Sequence, residues 1–112
     1  MENISQRALF LHHVAQTSPA PMALEIASAE GCWLVDRDGK RYLDLIAGIG
    51  PSVVGHRHPK VLAAVQQQVD AYWHTLVYGE YVLAPQVQLA QLLAGQLPGL
   101  DSVYFVNSGA EA

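Results

Sequence analysis

Ser102-Val103-Tyr104-Phe105-Val106 is a short, unbroken apolar run set between Pro98-Gly99 and Asn107-Ser108-Gly109, both rich in turn formers. Such a run suits a β-strand covered on both faces, the situation of a strand in a parallel sheet. A strand of this kind needs neighbours to take up its backbone N–H and C=O groups, and no second clear candidate accompanies it in the 112 residues. The sequence continues as Asn107-Ser108-Gly109-Ala110-Glu111-Ala112, a turn leading into the start of a helix. The expectation is therefore a strand–turn–helix unit cut as its helix begins, the first strand of an α/β domain whose remainder lies outside this sequence.

The preceding residues have a different character. Ser5 to Gln16 reads as a helix, with Ala8, Leu11 and Ala15 at helical spacing, and Thr17-Ser18-Pro19-Ala20-Pro21 breaks it. Strands are expected at Leu24 to Ala27, Cys32 to Val35 and Arg41 to Leu45, with Asp36-Arg37-Asp38-Gly39 as a turn. Together they make a small antiparallel meander. Ala47 to Gly55 is too rich in glycine for a regular element. Pro59 then opens a helix with one apolar stripe, Val61, Val65, Val69 and Tyr72. Pro85 opens another, with Leu89, Leu92, Leu93 and Leu97 expected to face inward, and Pro98-Gly99 ends it. The fold class is α+β: a small antiparallel meander with flanking helices over residues 1–100, then the truncated start of an α/β domain over residues 101–112.

Composition narrows the function classes. Hydrophobic residues make up 51% of the chain and charged ones 14%, which fits a packed protein rather than a disordered one. A formal charge of −4 with no basic run excludes a nucleic-acid groove. No apolar stretch is long enough to span a membrane. Met1-Glu2-Asn3-Ile4 shows no signal-peptide pattern, and the single cysteine, Cys32, suits a reducing compartment. A cytoplasmic location is expected.

The turn at Asn107-Ser108-Gly109-Ala110 carries the clearest chemistry. Backbone N–H groups at a strand-to-helix turn converge on one point, where the helix dipole adds positive character, so an anion can bind without a lysine. Ser108 acting only as a helix N-cap is the alternative. His56 and His58 are too few for a metal site, and their expected roles are structural. No metal is expected. His12 and His13 should point to different faces of a surface helix. Asp36, Asp38 and Asp44 are expected to shape turns and hairpins rather than to act as acid or base. Trp33, Tyr42, Tyr72 and Trp73 are expected in core or interface positions, and Cys32 as a buried structural thiol.

Three motifs in order bear on identity: Gly31-x-Trp33-Leu34-x-Asp36-x-x-Gly39-Lys40-x-Tyr42-x-Asp44, then Gly55-His56-x-His58-Pro59, then Asn107-Ser108-Gly109-Ala110-Glu111-Ala112. From about Pro19 onward the chain resembles the N-terminal part of class III (ornithine/acetylornithine-type) aminotransferases, and Trp73-His74-Thr75 resembles the acetylornithine branch. The resemblance implies a fold type I enzyme dependent on pyridoxal 5′-phosphate (PLP), active as a homodimer on amino-acid and 2-oxo-acid substrates. It implies that Ser108, Gly109 and Ala110 hold the PLP phosphate, and that Ile49, Gly50, Pro51 and Ser52 lie near the substrate. The family's cofactor-bearing lysine and ring-facing carboxylate lie downstream of the phosphate turn. Lys40 and Lys60 match neither, so no catalytic residue is expected here, and the 112-residue chain should bind PLP weakly or not at all. Ornithine-type members carry tyrosines at the positions of Thr17 and Ile49, which weakens an ornithine reading and leaves an acetylornithine-like or broader ω-amino substrate open. The loop Gly48 to Val54 differs from the acetylornithine pattern at Pro51. A glutamate-1-semialdehyde-type aminomutase shares these motifs. A non-catalytic self-association module and a generic phosphate-binding domain are the readings from other classes.

Overall fold

The computed structural model describes residues 5–76 and 79–112. Met1 to Ile4, where the absence of a signal-peptide pattern was read, lie outside the described residues. The chain divides between Ala71 and Tyr72 into two units. The first contains α1 (Gln6–His13), β1 (Ile26–Glu30), β2 (Trp33–Asp36), β3 (Arg41–Leu43) and α2 (Pro59–Ala71); the second contains α3 (Ala84–Gln96).

The expected meander forms, as an antiparallel sheet in the order β1-β2-β3. Its first hairpin turns on Gly31-Cys32, which fixes Glu30 opposite Trp33. That register draws β1 through Ser28, Ala29 and Glu30, two to three residues beyond the segment that hydrophobicity suggested. The second hairpin is built by Asp36. One oxygen, Oδ1, accepts the amides of Asp38 (3.0 Å) and Lys40 (2.9 Å), and Oδ2 accepts the Tyr42 hydroxyl at 2.8 Å. Gly39, at φ +81°, closes the three-residue loop in the left-handed region. The Tyr42 hydroxyl, followed by the Lys40 and Asp38 amides and the nearby ammonium, lowers the Asp36 pKa against an opposing effect of desolvation. The same hydrogen bond raises that of Tyr42.

The helices start and stop for local reasons. Ser5 caps α1 through the Ala8 amide (3.2 Å), and the Glu25 carboxylate, just before β1, takes the Arg7 amide at 2.9 Å. At the other end the Gln16 side-chain amide donates to the carbonyls of Phe10 and Val14, so α1 stops three residues short of the expected Gln16. In α2 the His58 carbonyl accepts the Leu62 amide at 2.9 Å. Pro85 sits in the first turn of α3, where its missing N–H costs nothing.

Burial departs from the sequence pattern. No described residue is buried. The Val61, Val65 and Val69 stripe and Leu89, Leu92 and Leu97, expected inward, are exposed, Leu92 at 62%. Residues 102–106 form no hydrogen-bonded strand, and Tyr104 is 90% exposed. The expectation of a strand covered on both faces is thus not met, since no strand among the described residues lies beside 102–106 to take up their backbone groups. Cys32 is exposed in a turn, not buried in a strand. The His12 and His13 rings do not diverge but meet edge-to-face, 4.6 Å between centroids. Trp73 is exposed, and Trp33 is covered on one face by the Arg41 guanidinium at 4.4 Å.

A sharp test of the packing lies at Gly55. It sits at φ +79°, and a Cβ there would stand 2.9 Å from the Gly31 carbonyl oxygen, whereas Gly39 at a similar φ faces open space. Gly55→Ala is expected to destabilise by about 1–3 kcal/mol more than Gly39→Ala, since only the former adds a backbone clash to the conformational strain. Thermal unfolding of the two variants, with amide exchange at Gly31 and His56, measures the difference.

Candidate functional site

The segment after β3 is organised by Asp44. Its Oδ1 accepts the amides of Ile46 (3.0 Å) and Ala47 (2.9 Å), and its Oδ2 lies 2.7 Å from His56 Nε2. Donation from His56, then from the Ala47 and Ile46 amides, holds the Asp44 carboxyl below the ordinary carboxylate value, outweighing the opposing effect of desolvation. An ionised Oδ2 only accepts, so His56 Nε2 carries the proton. His56 is itself fixed, because its backbone exchanges two hydrogen bonds with Gly31 (3.0 and 2.8 Å) in an antiparallel bridge. These groups line a cavity of about 360 Å³ with Cys32, Ala47, Ser52 and Val53. The expectation for His56 was a bond to loop backbone. The main chain makes that bond, while the imidazole engages Asp44. A strand-terminal aspartate followed twelve residues later by a Gly-His pair carried the signal, but pairing them needed the Gly31 bridge.

Beyond Asp44 the backbone turns the wrong way for L-residues. Ala47, Gly48, Ile49 and Gly50 have φ of +49°, +64°, +65° and +95° in succession. For Ile49, a β-branched residue, this is a true outlier costing on the order of 1–2 kcal/mol. The Ile46 carbonyl receives the Ile49 and Gly50 amides (2.8 and 3.3 Å), and the Ala47 carbonyl receives those of Gly50 and Ser52 (both 3.1 Å). The expected substrate-pocket residues Ile49, Gly50, Pro51 and Ser52 thus share one tight turn. The Ile49 side chain projects from it 91% exposed.

The phosphate-turn residues belong to the second unit. The Glu111 carboxylate accepts the amides of Asn107 (2.8 Å) and Ser108 (3.0 Å), and the Ser108 carbonyl accepts those of Glu111 (3.1 Å) and Ala112 (3.3 Å). This is half of a Ser-x-x-Glu capping box, the helix-starting device in which an acidic side chain reaches back to free amides. The Ser108 hydroxyl does not close the other half. Among the described residues the amides of Gly109 and Ala110 have no acceptor, and the space beside Gly109 is open. Glu111 thus occupies the amide of Ser108, one of the three residues expected at the phosphate, and leaves those of Gly109 and Ala110 open.

A second group of charged side chains gathers between β1 and the second hairpin. A cavity of about 660 Å³ is lined by Glu25, Asp36, Arg37, Lys40 and Tyr42 among others. Glu25 is bridged to Arg37 at 3.4 Å, Asp36 is saturated by the hairpin turn, and the Lys40 ammonium lies over Tyr42. Among the described residues no three His, Cys, Asp or Glu side chains are grouped to hold a metal, and no helix is long and apolar enough to cross a membrane.

Comparison with known proteins follows the same lines. The fold matches that of the ornithine aminotransferase of Toxoplasma gondii, with a TM-score of 0.78 and 30% identity over 94% of this chain and 24% of that one. It also matches the acetylornithine aminotransferase of Elizabethkingia anophelis, with a TM-score of 0.76 and 28% identity over 92% and 26%. Residues 14–112 match the family described as aminotransferase class-III. In sequence the chain is 45% identical over 89 residues to the acetylornithine aminotransferase of Mycolicibacterium smegmatis, and 46% identical over 87 residues to that of Methanocaldococcus jannaschii. These alignments cover 80% and 78% of this chain but 22% and 21% of the relatives, so the chain spans about a fifth of their length. It belongs to the class III aminotransferase family.

The low pKa of Asp44 fixes a pH dependence. A carboxyl whose pKa is lower in the folded state contributes stability above its ordinary value of 3.8, and this is lost as pH falls through the lowered folded value. The segment 45–52 is therefore expected to stay protected down to about pH 4 and to open below it. Asp44→Asn removes that acid transition. Pulsed hydrogen exchange across the series, corrected for intrinsic rates, reads both.

Proposed function

We propose that this chain is the N-terminal part of a PLP-dependent aminotransferase that moves an amino group from an amino acid or ω-amine, acetylornithine-like, to a 2-oxo acid. Membership of the class III family over residues 14–112 carries this reading, and the names of the relatives in sequence support the donor. In this reading residues 1–100 belong to the small N-terminal region, and residues 101–112 begin the large cofactor-binding domain.

Ser108, Gly109 and Ala110 would hold the PLP phosphate, mainly through backbone N–H groups. The open amides of Gly109 and Ala110 support this, and the Glu111 carboxylate, which accepts the Asn107 and Ser108 amides, would have to yield the Ser108 amide to the phosphate. PLP, when bound, supplies the electron sink for the chemistry at the substrate carbon. What this chain adds is binding and placement. The turn neutralises the phosphate without a cation, and Ile49 to Ser52 present an apolar, strained edge to the substrate. Strain in an exposed, well-bonded turn is a pointer toward a binding role. The proton-shuttling lysine and the ring-facing carboxylate belong to other parts of such an enzyme. The exposed apolar residues of α2 and α3 are surface that further chain, or a second copy in a homodimer, would cover. A single exposed thiol suits a cytoplasmic setting.

The test uses the full-length protein and this chain side by side. Amino transfer from N-acetylornithine to a 2-oxo acid is expected from the former and none from the latter. Conversion of one amino-oxo substrate without an acceptor would instead place the protein among aminomutases. In equilibrium titrations the 112-residue chain is expected to bind PLP and inorganic phosphate feebly and about equally, because one turn offers few contacts. A low-micromolar PLP constant for the chain contradicts that account.

A further inference from the structure

The left-handed turn at residues 47–50 has no side-chain packing of its own to hold it, since Ile49 is 91% exposed. What holds it is a relay of hydrogen bonds that starts at one carboxylate. Asp44, its side chain only 8% exposed, fixes the amides of Ile46 and Ala47. The carbonyls of those same two residues fix the amides of Ile49, Gly50 and Ser52. On the other oxygen, His56 Nε2 at 2.7 Å sets the rotation of the carboxylate. The Gly31 bridge, with no room for a Cβ at Gly55, keeps His56 in place.

From this relay we infer that Asp44, oriented by His56, is a positioning residue for the amino donor: it keeps Ile49 in the left-handed conformation that presents its side chain to substrate. The inference rests on the reading of Ile49 to Ser52 as a substrate segment. Neither residue touches the reacting atoms. Without the carboxylate, the Ile46 and Ala47 amides lose their acceptor, and the carbonyl bonds of two residues no longer held in place must offset the strain at Ile49 alone. The turn then relaxes toward the right-handed region, and the apolar edge moves. Donor binding suffers, while the bond-making step, carried out elsewhere, does not.

The experiment is steady-state kinetics of the full-length enzyme together with hydrogen exchange of the 45–52 segment. Asp44→Ala is expected to raise KM for the amino donor about tenfold and to change kcat less than about threefold, with PLP affinity unaltered and protection of the Ile49 and Gly50 amides lost. Asp44→Asn can still accept both amides and meet His56, and it is expected to restore most of the KM. Should Asp44→Ala fail to fold, His56→Ala against His56→Gln reads the same relay, because glutamine keeps a donor for Asp44. A fall in thermal stability with donor KM unchanged across all these variants overturns the inference. Ile49→Asn tests the underlying reading separately, since asparagine tolerates the left-handed region but lacks the apolar branch. If Ile49→Asn raises KM and the Asp44 and His56 variants do not, the relay is wrong and the substrate segment stands. If Ile49→Asn leaves KM unchanged, both fall.

Discussion

The Asp44 carboxylate takes three donors at once, the Ile46 and Ala47 amides and His56 Nε2, and through them it joins parts of the chain that no packed core connects. On one side its backbone amide still donates to the Cys32 carbonyl at 2.8 Å, while its side chain caps the turn that follows β3. On the other it reaches the Gly31 turn through His56, so the first hairpin and the glycine-rich segment are tied by hydrogen bonds rather than by apolar burial. Where no residue is buried, such directional contacts decide the conformation. Asp36 does the same for the second hairpin on a smaller scale, taking two amides and a phenol.

The hairpins were legible in the sequence because their turns are written in local chemistry. Asp36-Arg37-Asp38-Gly39 specifies a loop with a left-handed glycine, and Pro59 and Pro85 mark helix starts whatever surrounds them. The strand at 102–106 and the inward faces of α2 and α3 were legible only as requirements. Val61, Val65 and Val69 line up as a stripe, yet a stripe is buried only when a second surface exists to bury it. Tyr104 and Phe105 can enter a parallel sheet only if neighbouring strands accept their backbone groups. The β1 boundary was missed for a different reason. Pairing is set by the Gly31-Cys32 turn, so polar Ser28 and Glu30 join the ladder although their hydrophobicity argues against it.

The candidate site divides along the same line. Ser108, Gly109 and Ala110 were singled out by motif, and the structure presents their turn with two free amides and an internal carboxylate beside them. The strain at Ile49 was invisible in sequence, and the Asp44–His56 pair was present there only as an aspartate and a Gly-His pair with nothing to join them. A positive φ on a β-branched residue follows no propensity, and a hydrogen bond between residues twelve apart follows from a backbone bridge elsewhere.

The proposed function requires residues 102–112 to begin a cofactor-binding sheet once further chain supplies neighbouring strands. Hydrogen exchange of the 102–106 amides, compared between the 112-residue chain and the full-length protein, tests it most directly. The account expects exchange close to the intrinsic rate in the short chain, and in the full-length protein protection of at least about a hundredfold, the mark of a paired, covered strand. Equal and low protection in both would mean that the segment is never a strand, and the phosphate turn built upon it would have to be abandoned.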